Sequence, residues 1–126
     1  MKQKKISTAA PATKEELTKT LTMISINLQL KKLNPKAILP TKACEGDAGF
    51  DLYTTQNFAL AGGGTSALET GIAMAIPEGY YIQIQDRSGL ALNSKLHVIA
   101  GTIDPGFRGE IKVIMTNLYD FPCNIE

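Results

Sequence analysis

The chain has 126 residues, of which 44% are apolar and 20% charged, and a formal net charge of +1 at pH 7. That is one small domain of ordinary globular composition, which excludes a disordered polyelectrolyte and leaves no room for a second core. Its apolar runs are far shorter than the roughly 20 residues that span a bilayer, and no basic segment leads into an apolar signal core, so an intracellular protein with no membrane partner is expected.

The charge is unevenly spread. Residues 1 to 36 carry eight lysines against Glu15 and Glu16, a balance of +6, whereas the remaining 90 residues stand at −5. A basic arm therefore precedes a mildly acidic body. Short lysine-rich termini are mostly solvated tails, and the body has no basic stripe interleaved with aromatics, so nucleic acid is not the expected partner. Cys44 and Cys123 are too few for a disulfide framework and lack a third soft ligand at zinc-like spacing, which makes them plain thiols.

Taken in chain order, residues 1 to 23 form the basic N-terminal extension. Thr13 and Glu16 make a capping-box pair, and Leu17, Leu21 and Ile24 recur at helical spacing, which predicts a short helix before about Met23. The folded domain is expected over 24 to 126. Ile24, Ile26, Leu28 and Leu30 alternate with polar residues and predict a half-buried strand. Phe50, Leu52 and Phe58 mark short strand pieces, and Gly62 to Gly64 break the chain in a loop. Ile72, Met74 and Ile76 alternate up to Pro77-Glu78-Gly79, after which Tyr80, Ile82 and Ile84 alternate again, and the pattern predicts a hairpin. The stretches Leu96 to Ile103 and Glu110 to Leu118 flank a second turn triplet, Asp104-Pro105-Gly106. Short strands at this spacing predict an all-β jelly-roll β-barrel. The last well-formed strand, Ile111 to Leu118, is expected to leave an open edge that a tail or a neighbouring subunit covers.

Three segments in this frame carry chemistry. Within Glu45 to Tyr53, two glycines permit a tight turn, and Asp51 stands at the start of a strand, where a carboxylate can face a cleft and accept from hydrated Mg²⁺. Within Asp86-Arg87-Ser88-Gly89-Leu90-Ala91, a serine opening one helical turn offers its hydroxyl and free N–H groups to a phosphate, and the arginine adds a charged fork. The third segment, Ala100 to Glu110, presents Asp104 at a hairpin tip to orient or deprotonate a water, and Phe107 as a flat apolar face for a sugar or base. Gly101, Gly106 and Gly109 there suggest close backbone approach around a planar ligand. Each segment alone also has an ordinary structural reading: an acidic turn, a serine N-cap, a favoured Asp-Pro-Gly turn.

Their order and spacing are more specific. The stretches AGFDLYT, TGIAMAIPEGYY, RSGLAL and AGTIDPGFRGEIKVIMTN resemble the first three motifs of the trimeric dUTPase family and the strands between them, and the likeness covers nearly all of residues 25 to 119. The resemblance implies the dUTPase-like jelly-roll β-barrel and a dUTP diphosphatase, which hydrolyses dUTP to dUMP and pyrophosphate by Mg²⁺-assisted in-line attack of water on the α-phosphorus. It implies that Asp51 helps to hold the metal-bound triphosphate through water, that Arg87, Ser88 and Gly89 bind phosphate, and that Asp104 is the catalytic residue activating the water. By the same resemblance Gly101, Thr102, Ile103 and Phe107 hold the nucleoside. A homotrimer is implied too, in which the hairpin of one subunit faces Asp51 and Ser88 of its neighbour.

This chain departs from the family pattern in three places. Asp86 stands where the family often has proline, and its charge is expected to point outward. Phe107 replaces the usual tyrosine, keeping the stacking face without the phenol. The family's fourth and fifth motifs are not found after Asn117. Two other readings compete: a non-catalytic dUTPase-like trimer that binds nucleotide or a protein partner, and a dCTP deaminase, which shares the fold but needs a glutamate on the strand where this chain has Ile114.

Overall fold

The structure is a computed structural model and describes residues 25–126. The helix expected before Met23 lies outside the described residues, as does most of the basic arm. Among the described residues, the elements in chain order are β1 (Gln29–Lys32), β2 (Phe58–Leu60), β3 (Thr65–Ala75), β4 (Ile82–Gln83), a helix α1 (Ser88–Ser94), β5 (Leu96–Val98), β6 (Thr102–Ile103), β7 (Glu110–Asn117) and β8 (Cys123–Ile125). They form a four-stranded sheet in the order β1-β3-β7-β5 and two ribbons, β2-β8 and β4-β6. Every pairing is antiparallel. No helix of the described residues is long and apolar enough to cross a membrane.

The spine is β3 against β7. Leu68, Thr70, Ile72, Met74 and Ile76 are all buried, a period of two that turns one face of the chain inward. The core has two lobes, Ala37, Ile72, Met74, Ile76, Ile84 and Ile111 in one and Leu60, Leu68, Leu96 and Met115 in the other, with Val98 and Val113 packed against both. The register slips between Glu69 and Ala73. Gly71 makes the slip possible: its φ of +66° suits glycine, and a Cβ there would sit 2.9 Å from the side chains of Ala37 and Thr55. The Glu110 carboxylate accepts the Gly71 N–H at 2.8 Å, and the buried Thr70 hydroxyl donates to the Ile111 carbonyl at 2.6 Å. These two bonds tie the irregularity to β7, in keeping with the need of buried polar groups for partners.

Several sequence expectations are corrected. Pro77-Glu78-Gly79 does not close a hairpin, because β4 pairs with β6 and the turn carries the chain from one sheet to another. The stretch Leu96 to Ile103 is not one strand. Ala100 and Gly101, both at positive φ, bend the chain out of β5, which lies beside β7, into β6, which lies beside β4. Nor is β7 an edge strand: it lies between β3 and β5, and the residues after it form β8 against β2. The open edges of the large sheet belong to β1 and β5. Finally, the first strand is shorter than its alternation predicts and all four of its residues, Leu30 among them, are exposed, as are Ile26 and Leu28 before it. Among the described residues nothing covers that apolar row.

Candidate functional site

Asp51 lies in an isolated bridge rather than at the start of a strand. Its N–H donates to the Thr41 carbonyl at 2.7 Å, and Thr41 returns a bond at 3.3 Å to the Asp51 carbonyl. Thr41 and Tyr53 share a side-chain hydrogen bond of 2.5 Å across the same turn. This pairing leaves the carboxylate free, and its Oδ2 stands 3.8 Å from Nη2 of Arg87. The first two segments therefore meet. The Arg87 side chain is 65% exposed. An ion pair so placed is worth at most about 1 kcal/mol, so the guanidinium is free to turn toward an incoming anion.

Ser88 is the first residue of α1 rather than its cap. The N-cap is Arg87, in extended conformation and without a side-chain hydrogen bond to the helix. The initial N–H groups of α1 accordingly have no capping acceptor, and Ser88 and Gly89 are exposed beside them. Lys95, at a φ of +50°, closes the other end by donating its N–H to the Leu90 carbonyl.

Asp86 is exposed, and its charge is not turned toward the start of α1. Its carboxylate is turned onto β5, where Oδ1 accepts the Val98 N–H at 2.5 Å and Oδ2 lies 2.5 Å from Nδ1 of His97. The Val98 N–H, with His97 in support, outweighs partial burial and holds the Asp86 carboxyl below the usual carboxylate range. Sequence reasoning missed His97 as a partner. Eleven residues separate the two, and only the fold of β5 beside the second segment brings them together.

The third segment is built partly on β4. Ile84 donates to the Gly101 carbonyl at 2.9 Å, and the Thr102 hydroxyl donates to Oε1 of Gln83 at 3.1 Å. Gly101 has a φ of +126°, and a Cβ on it would fall 2.7 Å from the Ile84 carbonyl oxygen. The close approach expected at Gly101 is thus to the protein's own backbone. Ile103 is half-buried against the first core lobe, whereas Thr102 is exposed. At the tip, the Phe107 N–H donates to the Asp104 carbonyl at 3.1 Å, which closes the turn. Nη1 of Arg108 donates to the carbonyls of Pro105 at 2.5 Å and Phe107 at 3.0 Å. A Cβ on Gly109 would lie 2.9 Å from the Phe107 ring, so the missing side chain is the ring's seat, whereas Gly106 has open space around it. Asp104 and Phe107 are both exposed.

A cleft of about 330 Å³, lined by Gln83, Gln85, Asp86, His97, Val98 and Ala100 among others, lies where the second and third segments approach. Neither Ser88 nor Asp104 lines it. Among the described residues no hydrogen bond or ion pair joins the side chain of Asp104 to Asp51, Arg87 or Ser88. The expected site residues thus form two groups, an Asp51–Arg87–Ser88–Gly89 surface and a Gly101–Phe107 hairpin. Among the described residues no three His, Cys, Asp or Glu side chains cluster as a metal site. Asp51 by itself suits Mg²⁺, which keeps most of its waters and takes its other ligands from substrate phosphates.

The sequence profile of the dUTPase family matches residues 35–126. The chain is 45% identical over 93 residues to the deoxyuridine 5'-triphosphate nucleotidohydrolase of Clostridioides difficile, covering 72% of this chain and 65% of that one. It is 44% identical over 94 residues to that of Clostridium acetobutylicum, with 73% and 65% covered. The chain thus spans about 65% of the length of these curated relatives. Among solved structures, the dUTPase of Staphylococcus bacteriophage 80alpha bound to dUPNHPP superimposes with a TM-score of 0.71 at 29% identity, covering 75% of this chain and 56% of that one. A dUTPase variant from phage phi11 of S. aureus, whose structure shows the coordination of a structural Mg(II) ion, gives 0.71 at 29%, with 75% and 61% covered. With the profile matched from Pro35 to the last residue and the all-β dUTPase fold in place, this chain belongs to the dUTPase family.

Proposed function

We propose that this chain is the body of a dUTP diphosphatase, which cleaves dUTP to dUMP and pyrophosphate in the intracellular nucleotide pool. The observation that carries the reading is the meeting of Asp51 and Arg87 at 3.8 Å beside the uncapped start of α1, with an exposed Asp104 on a separate hairpin. One group suits a triphosphate, the other a nucleoside and a water.

In this reading Arg87 forks onto phosphate oxygens, and Ser88 and Gly89 supply the hydroxyl and N–H donors beside it. Asp51 holds Mg²⁺ through water, and the ion when bound neutralises charge on the phosphates. Asp104 takes a proton from the water that attacks the α-phosphorus in line. The Phe107 ring, seated on Gly109, lies against the nucleoside, while Gly101, Thr102 and Ile103 offer backbone groups to the base. Such phosphoryl chemistry needs positioning and charge stabilisation more than covalent help, and these residues supply both.

The separation of the two groups supports a homotrimer in which one subunit's hairpin completes its neighbour's phosphate surface. The exposed row Ile26, Leu28 and Leu30 and the open edges of β1 and β5 would find cover there. The folded domain is taken to begin at about residue 24, since β1 already pairs with β3. Ile114 offers no acid on β7, which weighs against deamination of dCTP. The test is release of pyrophosphate from dUTP by the full-length protein with Mg²⁺. Folded protein that binds a non-hydrolysable dUTP analogue and turns over neither dUTP nor dCTP would leave the non-catalytic reading in its place.

A further inference from the structure

The first turn of α1 has little of its own to hold it. It has no side-chain cap and no buried residue, and among its side chains only the half-buried Leu90 packs against the core. The Arg87–Asp51 pair beside it is exposed and long. The two bonds from Asp86 to β5, at 2.5 Å each, are the shortest contacts that tie this segment to the sheet. They fall one residue before the N-cap, where a small rotation would swing Arg87, Ser88 and Gly89 together.

We propose that Asp86 is a positioning residue, a clamp that fixes the phosphate-binding turn to β5 through the Val98 N–H and the His97 ring. The inference rests on the reading of Arg87, Ser88 and Gly89 as phosphate ligands. A carboxylate next to such ligands would repel a triphosphate if it were free to turn toward them. With both oxygens engaged on β5 it is held away from that role, and the charged form is the one the donors favour. Val98 packs against both core lobes, so the anchor itself is firm.

The test compares Asp86→Ala, Asp86→Asn and His97→Ala with the wild type in the full-length protein. Three readouts are taken: amide hydrogen exchange at Ser88 to Leu90 without substrate, KM and kcat for dUTP, and the melting midpoint. Asp86→Ala is expected to speed exchange at those amides and to raise KM about tenfold, with kcat changed less. Asp86→Asn should recover most of both, because its amide oxygen still accepts from Val98. His97→Ala, which keeps the Val98 bond, should give a smaller shift in the same direction, and it decides the matter if Asp86→Ala fails to fold. Unchanged exchange and KM in Asp86→Ala would overturn the proposal, as would a loss confined to melting midpoint and kcat. Failure of the wild type to hydrolyse dUTP would remove the functional reading instead, and the exchange data would still decide whether the clamp exists.

Discussion

The Asp104 hairpin and the Arg87–Ser88 turn, to which the proposed function assigns the two halves of the chemistry, are held in opposite ways. The hairpin is braced from within. Its turn closes on itself, Arg108 donates to two of its carbonyls, and Phe107 rests on Gly109. The phosphate turn lacks such local support: its helix has no side-chain cap, and what holds it comes from β5 and from the loop around Asp51. A water-activating carboxylate gains from rigidity, because small displacements of a base are costly. A surface that receives a mobile triphosphate can be adjustable, provided that its root is fixed.

The largest expected effect breaks the hairpin's chemistry and leaves its shape. Asp104→Asn should lower kcat by roughly a thousandfold or more with little change in the affinity for a dUTP analogue, since it removes the base and keeps the volume. Turnover at the wild-type rate would remove Asp104 from the mechanism. The same variant sharpens the comparison when mixed with Ser88→Ala subunits. If the two regions act across subunits, random exchange in a trimer should restore about a quarter of the sites. Activity no higher than that of the separate variants, with exchange demonstrated by mass, would place both regions in one subunit.

Next in size is Gly101→Ala at the root of the hairpin. Both its φ of +126° and the Ile84 carbonyl 2.7 Å from the new Cβ oppose the change. A loss of about 2–4 kcal/mol in unfolding free energy is expected, measurable by urea denaturation. A smaller cost, about 1 kcal/mol, is expected for Arg108→Ala, which frees two carbonyls of an exposed turn, and it should appear as faster amide exchange at Phe107. Equal exchange in both proteins would show that the hairpin is not braced by Arg108.

The smallest effect is a pH dependence in the other region. The carboxyl of Asp86 is held below its ordinary range in the folded protein, so its contribution is complete above the unfolded value and is lost as pH falls through the folded one. The difference in melting midpoint between wild type and Asp86→Asn should therefore narrow on acidification from about pH 6 to about pH 3. A difference that stays constant over that range would mean that the Asp86 charge adds nothing to the clamp.

Much of this was legible without coordinates. The alternation of Ile72, Met74 and Ile76 states which face of the chain turns inward there, because side chains on an extended chain alternate whatever the partner strand is. The glycines at 62 to 64 and the Asp-Pro-Gly triplet mark turns for equally local reasons, and three short motifs in order were enough to identify the family. Partner choice was not legible. Pro77-Glu78-Gly79 could turn the chain back on itself or pass it to another sheet, and the outcome depends on where Ile82 and Ile84 find cover. They find it beside Ile103 and in the first core lobe, about twenty residues further along the chain. The partners of Asp86 were likewise not legible, because only the fold brings the Val98 N–H and His97 beside it. Sequence by itself determined the faces, the turns and the chemical groups, since these follow from backbone geometry and side-chain type within a few residues. Only the tertiary structure decided the pairings, the sheet edges and the orientation of each carboxylate, because hydrogen-bond partners distant in the chain are chosen by what the whole core can bury.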